Sequence, residues 1–86
     1  IDLASAVTFE HLDTRLAAFL LGKFSDHGVK ELEITHQEIA SELGTVRERV
    51  SRLLENLEAE GVVKLGRARV GVLDRESLRR LASPED

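Results

Sequence analysis

Apolar residues recur at helical spacing in two stretches of the chain. In the first stretch the apolar residues that recur at helical spacing are Leu12, Leu16, Phe19, Leu20 and Phe24. A second stripe has the i, i+3, i+4, i+7 spacing of a helix with one buried face, at Val50, Leu53, Leu54 and Leu57. The pattern therefore predicts a helix over residues 9–24, with Thr8 as its N-cap, and an amphipathic helix over residues 46–59.

A short helix is predicted directly before the second stripe. Thr35 is followed three residues later by Glu38, and Thr45 three residues later by Glu48, which is the spacing of a capping box in both cases. Gly44 follows the last apolar residue of the short helix, where a left-handed conformation is needed and glycine adopts it without steric cost. Two capped helices joined by a turn of about three residues are typical of a helix-turn-helix.

The residues after the second stripe favour a β-hairpin. Residues 62–65 (VVKL) and 69–73 (RVGVL) are rich in β-branched and apolar side chains. Gly66 lies between them, and a glycine at the first central position predicts a type II′ turn. Arg67 and Arg69 are then expected at or near the hairpin tip.

Two further elements complete the predicted fold. Residues 25–33 are predicted to form a loop, and a short strand around Leu32 and Ile34 is expected to pair with the hairpin. Asp74 is predicted to cap a final helix over residues 75–81. The fold class is α+β, a winged helix-turn-helix with a three-helix core, a β-hairpin wing and a short C-terminal helix.

The charge of the chain is unevenly distributed. The net charge of the 86 residues is −4, which at first sight counts against nucleic-acid binding. Residues 1–43 have a net charge of −5, whereas residues 44–80 have a net charge of +3. A local basic field can steer DNA even when the whole chain is acidic. The chain has no cysteine, which excludes disulfides and thiolate chemistry in this piece, and no apolar run long enough to span a membrane.

Polar residues of the second helix gather opposite its apolar stripe. With Val50 at zero and an advance of about 100° per residue, Glu48 and Arg52 lie at about 160° and 200°. Both therefore point away from the core, with Arg49 and Ser51 on the two flanks. The N-terminal half of this helix presents charged and polar groups to solvent.

The run from Gly44 to Leu54 (GTVRERVSRLL) resembles the recognition helix of the Crp/Fnr family of bacterial transcription regulators. Glu48 and Arg52 match the Glu-x-x-x-Arg pair with which the family reads bases. Arg47 matches the extra arginine of the cyclic-AMP receptor branch, and Ser51 matches the serine of the Fnr branch. The resemblance covers residues 8–82.

The resemblance implies a domain organisation and a function. Residues 1–7 would be the end of a dimerisation helix and a hinge, 8–82 the winged-helix DNA-binding domain and 83–86 a tail. A frayed terminus is the alternative for residues 1–7. The function implied is sequence-specific binding of double-stranded DNA, with helix 46–59 in the major groove. The implied base-reading residues are Arg47, Glu48, Ser51 and Arg52. The implied DNA-backbone contacts are Thr35, His36, Thr45, Arg49, Arg67 and Arg69.

The resemblance also implies partners that this chain alone does not display. It implies a homodimer in the full-length protein, DNA with palindromic half-sites, contact with RNA polymerase and a cytoplasmic location, with no membrane association. No cofactor is expected in this fragment, since any effector would bind a separate N-terminal sensor domain.

Several of these assignments have a structural alternative. Glu48 could complete a capping box with Thr45 instead of reading a base. Arg52 could form a surface ion pair with an acidic neighbour, and Arg67 and Arg69 could be charges that protect an edge strand from aggregation. A winged helix used for protein–protein contact is the alternative function, and the polar exposed face of the second helix favours DNA.

Catalysis and metal binding have little support in the sequence. His11, His27 and His36 fall on three different predicted elements, at no metal-ligand spacing. The chain has no serine, histidine and acid in a triad-like arrangement and no glycine-rich phosphate loop. The sequence therefore predicts neither a metal site nor an enzyme.

Overall fold

The part of the chain that the structure describes consists of four helices and a small antiparallel sheet. A computed structural model describes residues 12–24 and 30–82. Its elements in chain order are α1 (Leu12–Phe24), β1 (Glu31–Glu33), α2 (His36–Leu43), α3 (Arg47–Ala59), β2 (Val63–Gly66), β3 (Arg69–Val72) and α4 (Arg75–Ala82). The predicted winged helix-turn-helix is confirmed. The predictions for residues 1–7, Thr8, His11, His27 and the tail 83–86 fall outside the described residues.

One hydrophobic core joins the helices to the sheet. Its largest fully buried side chains are Leu16, Leu20, Phe24, Ile39, Val50, Leu54, Val63, Val70 and Leu78. Burying each of these contributes roughly 1.5–3 kcal/mol relative to exposure. No polar or charged side chain is buried among the described residues. None of the helices within these residues is both long and apolar enough to cross a membrane.

The first helix of the helix-turn-helix is capped at both ends as predicted. The Thr35 hydroxyl accepts from the Glu38 amide at 3.0 Å, and the Thr35 amide donates to Glu38 Oε1 at 2.8 Å, which is a complete capping box. Gly44 ends the helix with φ at 72°. Its amide donates to Ser41 O, and the next amide, that of Thr45, donates to Ala40 O at 2.9 Å. These two bonds form a Schellman motif.

The second predicted capping box is wrong. Val46, not Thr45, is the N-cap residue of α3, and no side chain caps that helix. The reason is that the Thr45 amide is already donated to Ala40 O, whereas a capping box would need that amide for Glu48. Helix α3 therefore begins one residue later than a Thr45 cap would place it, at Arg47.

The wing is a three-stranded antiparallel sheet in the order β1-β3-β2. Its hairpin pairs Val63 with Val72 and extends to a last pair of Gly66 with Arg69. The two turn residues are thus Arg67 and Ala68, so the prediction of Gly66 as a central residue of a type II′ turn is wrong. The positive φ of 53° falls on the second central residue, Ala68.

The hairpin of the wing is attached to α3 and to the predicted short strand. Glu58 Oε2, on α3, accepts from the Leu65 amide of β2 at 3.0 Å. The strand expected around Leu32 is confirmed as β1, which pairs with β3. These contacts set the position of the hairpin beside α3.

The last helix begins at the predicted cap. Asp74 accepts from the Ser77 hydroxyl at 2.7 Å and from the Ser77 amide at 3.2 Å. The hydroxyl first, and then the amide, hold the pKa of the Asp74 carboxyl below its ordinary value.

Two arginines cap helix C-termini from neighbouring helices. Arg15 on α1 donates to Leu43 O at the end of α2, and Arg75 on α4 donates to Phe24 O at the end of α1, both at 2.6 Å. A cation at a helix C-terminus also interacts favourably with the helix dipole. The sequence pattern missed this role because both pairs are far apart in the chain.

Candidate nucleic-acid interface

Helix α3 exposes a charged surface that starts in its first turn. Arg47, Glu48, Arg49 and Arg52 are all exposed on it. Val46, just before the helix, is 57% exposed. Because α3 buries Val50, Leu54 and Leu57 on its opposite side, this surface cannot turn towards the core.

Glu48 and Arg52 lie one turn apart on this surface, with both side chains available. The Glu48 carboxylate does not cap α3. Within residues 12–24 and 30–82, no ion pair joins Arg52 to Glu48 or to Glu55. Neither structural alternative suggested by the sequence is therefore formed in the described part of the chain.

His36 and Ser51 join the two helices of the motif. His36 Nδ1 and Ser51 Oγ are 2.7 Å apart, and both residues are half-buried. His36 is the first residue of α2, and Ser51 lies in the second turn of α3. In the structure, His36, which was predicted to contact the DNA backbone, therefore touches Ser51, which was predicted to read a base.

At the start of α2, the groups available to a phosphate are backbone amides and not the polar groups of the N-cap residue Thr35. The hydroxyl and the amide of Thr35 are both used in the capping box. The first amides of a helix have no intrahelical partner, so those of His36 and Gln37 remain as donors. Thr45, by contrast, is half-buried in the turn and its amide is bound to Ala40 O.

The two wing arginines have different surroundings. Arg67 is exposed at the turn between β2 and β3. The Arg69 guanidinium lies 3.4 Å from Glu31 Oε1 and 3.9 Å from Glu33 Oε2. The two carboxylates of β1 therefore already offset the charge of Arg69, while Arg67 has no ion-pair partner among the described residues.

Comparison with known proteins places this arrangement in a family. The family model of the Crp-like helix-turn-helix domain matches residues 14–81. The chain belongs to this family. The Crp/Fnr resemblance is thereby confirmed, and the chain is a DNA-binding domain of the type found in transcriptional regulators. Because the family consists of regulators, the prediction that the chain is not an enzyme is confirmed as well.

Individual relatives agree with the family assignment. The chain is 42% identical over 77 residues to the cyclic AMP receptor protein of Thermus thermophilus, covering 88% of this chain and 35% of that protein. It is 33% identical over 79 residues to the transcriptional regulator SdrP of the same organism, covering 85% of this chain and 39% of that protein. The chain thus spans less than two fifths of the length of these relatives.

Solved structures show the same fold. A regulator from Eubacterium rectale assigned to the Crp/Fnr family superposes with a TM-score of 0.81 and 41% identity, over 93% of this chain and 37% of that one. The catabolite activator protein of Thermus thermophilus superposes with a TM-score of 0.76 and 39% identity, over 92% of this chain and 37% of that one.

Proposed function

We propose that this domain binds double-stranded DNA at a specific sequence, with α3 in the major groove. The observation that carries the proposal is the free pair Glu48 and Arg52, one turn apart on the exposed face of α3. Arginine can donate two hydrogen bonds to guanine O6 and N7, and a carboxylate can accept from cytosine N4. Four residues apart on one helix, the two side chains can reach the same or adjacent base pairs. Arg47 and Ser51 are proposed as the remaining base readers.

The proposed DNA-backbone contacts surround this reading surface. Side chains and backbone amides at the start of α2 and in the wing would bind phosphate oxygens and fix the register of α3 on the duplex. The proposed contacts are Thr35, His36, Thr45, Arg49, Arg67 and Arg69. The surroundings of Arg67 favour it over Arg69 as the stronger wing contact.

The longer regulator that would contain this domain is also part of the proposal. It would be a bacterial cytoplasmic protein that binds palindromic half-sites as a homodimer, with residues 1–7 at the end of a dimerisation helix. Its effector would bind a separate N-terminal sensor domain, and contact with RNA polymerase is proposed for the assembled protein.

The exposed surface of α3 favours DNA over a protein partner. A helix that docks on a protein usually presents apolar anchors. The exposed large apolar side chains among the described residues are Val46 and Leu73, which lie on opposite sides of α3 in the chain and outside that helix. The face of α3 itself is charged, which suits a phosphate-lined groove.

The proposal is tested by a binding-site selection on a dimeric form of the chain. Fusing the chain at its N-terminus to a parallel two-stranded coiled coil supplies the dimer. Arg52→Ala should cost roughly 1–3 kcal/mol per half-site and relax the preference for one guanine. Arg79→Ala is the matched control, since Arg79 is exposed on α4 and forms an ion pair with Glu76. If Arg52→Ala keeps full discrimination at every position, Arg52 is not a base reader and α3 only presents charge to the backbone.

A further inference from the structure

The contact between His36 and Ser51 has a consequence for what Ser51 can read. A hydroxyl has one proton to donate and two lone pairs that accept. A serine inside a helix often donates that proton to the carbonyl four residues earlier. Here Ser51 Oγ lies 2.7 Å from His36 Nδ1, and no other hydrogen bond of Ser51 Oγ occurs within residues 12–24 and 30–82. The direction of this one bond therefore decides which group Ser51 offers to a base.

The direction of the bond depends on the tautomer of His36. In a neutral imidazole, one ring nitrogen carries the proton and donates while the other accepts. If Nε2 carries the proton, Nδ1 accepts and the Ser51 hydroxyl donates to it. Ser51 then has only lone pairs left for a base. If Nδ1 carries the proton, Ser51 keeps its own proton and can donate to a base acceptor.

A phosphate contact would select between the two tautomers. His36 is the first residue of α2, and its Nε2 has no hydrogen-bond partner among the described residues. A phosphodiester oxygen only accepts hydrogen bonds, so an Nε2 that contacts it must carry the proton. In the neutral ring Nδ1 is then an acceptor, and the proton of Ser51 is committed to His36.

We propose that His36 is a positioning residue that makes Ser51 an acceptor-only base reader. This inference rests on the proposed function, because it requires α3 in the major groove and His36 at a phosphate. In the major groove the hydrogen-bond donors are the exocyclic amines, adenine N6 and cytosine N4. The base opposite Ser51 is therefore adenine or cytosine, and guanine O6 and thymine O4 are disfavoured there. His36 sets this preference although it does not contact the base.

Two substitutions of His36 test the roles of its two ring nitrogens separately. The amide of glutamine reaches the position of Nε2 and keeps a donor for phosphate, but it leaves Ser51 without the Nδ1 contact. The shorter amide of asparagine reaches the position of Nδ1 and can still accept from Ser51, but it falls short of the phosphate. Ser51→Ala identifies the base position that Ser51 reads. Thermal unfolding of each variant confirms that it is folded.

The experiment is a binding-site selection on the coiled-coil dimer of the wild type and these three variants. Ser51→Ala should relax one position, at which the wild type prefers adenine or cytosine by roughly 2- to 10-fold, the effect of one hydrogen bond. His36→Gln should relax the same position. His36→Asn should keep the preference and weaken binding to all sequences alike.

The outcomes separate this inference from the proposed function. A wild type without sequence preference would contradict the proposed function itself. A wild type that selects its site, but prefers guanine or thymine at the Ser51 position, overturns the inference alone. So does a His36→Gln variant with the wild-type preference, or a Ser51→Ala variant that relaxes no position. An independent readout is the ¹⁵N chemical shift of the His36 ring in the DNA complex, which should show the Nε2-protonated tautomer; the Nδ1-protonated tautomer would overturn the inference.

Discussion

The identity of the N-cap residue of α3, Val46, determines which polar groups in the first turn of that helix are left without a capping partner. A serine or threonine there would use its hydroxyl for the helix amides and invite Glu48 into a capping box. Valine has no such group, and α3 has no side-chain cap. The helix start is less stable for it, and the Glu48 carboxylate stays free on the exposed surface of α3 that we propose to contact bases.

The two threonines of the motif should therefore respond differently to substitution. Thr35→Ala removes an observed cap and should lower the free energy of unfolding by about 1 kcal/mol. Thr45→Ala removes no cap and should change it by less than about 0.5 kcal/mol. Urea unfolding measures the change in the free energy of unfolding for each variant, provided that the m-value stays the same. Equal losses in the two variants would mean that Thr45 caps α3 after all.

The lowered pKa of Asp74 predicts how this cap depends on pH. The folded pKa is lower than the ordinary value because Ser77 donates to the carboxylate. The cap therefore stabilises the fold fully above the ordinary pKa of an aspartate, and this contribution is lost as pH falls through the lowered value.

Asp74→Asn is the matched variant, because asparagine also caps helices but does not titrate in this range. The difference in Tm between the wild type and Asp74→Asn should be constant near neutral pH and should change only as the pH falls below about 4. Thermal unfolding followed by circular dichroism at a series of pH values measures it. A difference that is the same at pH 2 and pH 6 would show that the charge of Asp74 does not contribute.

At the scale of elements, the wing provides a pair of arginines for comparison. Arg67→Ala should weaken binding to all DNA sequences alike and reduce the salt slope of the binding constant by about one. Arg69→Ala should reduce the slope by less, because Glu31 and Glu33 already lie beside the Arg69 guanidinium. The binding constant at several salt concentrations measures both slopes. A larger reduction for Arg69→Ala would reverse the proposed order of the two contacts.

The helices were predictable because their burial pattern and their caps depend on residues that are close together in the sequence. The stripe from Val50 to Leu57 needs only the helical period, and the left-handed residue Gly44 needs only its position after an apolar residue. The start of α3 was not predictable from spacing, because Thr45 fits both the Schellman motif that ends α2 and a capping box that would begin α3. The Thr45 amide donates to Ala40 O as part of the C-terminal motif of α2. As a result, the N-cap position of α3 falls on Val46.

The hairpin turn escaped prediction for a different reason. Turns centred on Gly66-Arg67 or on Arg67-Ala68 give registers that differ by two residues, so each side chain stays on the same face in both. The observed register pairs Leu65 with Val70 and Val63 with Val72, and it requires a positive φ at Ala68. Alternation cannot separate two such registers, since only the total packing differs.

The sequence predicted the exposure of the candidate residues but not their contacts. The exposed positions of Glu48 and Arg52 follow from the helical period of α3. The contact of His36 with Ser51 joins residues 15 positions apart on two helices, and it becomes visible only when those helices pack. The pairing of Arg69 with β1 is equally a product of the sheet order.

At the scale of the whole molecule, we expect one copy of the domain to make few phosphate contacts, since the arginines proposed to bind DNA are those of α3 and the wing. The net charge of −4 adds no general attraction to DNA. Affinity for DNA rises with the number of phosphates neutralised and falls steeply with salt. We therefore expect the isolated chain to bind weakly and two linked copies to bind much more tightly.

Linking two copies through the N-terminal coiled coil should raise affinity for a palindromic site by on the order of 10²-fold or more, because the second contact becomes intramolecular. The salt slope should about double, since two copies neutralise twice as many phosphates. A bandshift titration compares the chain with its dimer on half-sites spaced about one helical turn apart, roughly 10 bp. The control is a site with roughly 5 bp inserted between the half-sites, which places them on opposite faces of the duplex and should remove the gain. Equal affinity of chain and dimer on the palindrome would contradict paired half-site binding, and an equal gain on the spaced site would show that the dimer binds DNA without using the palindrome.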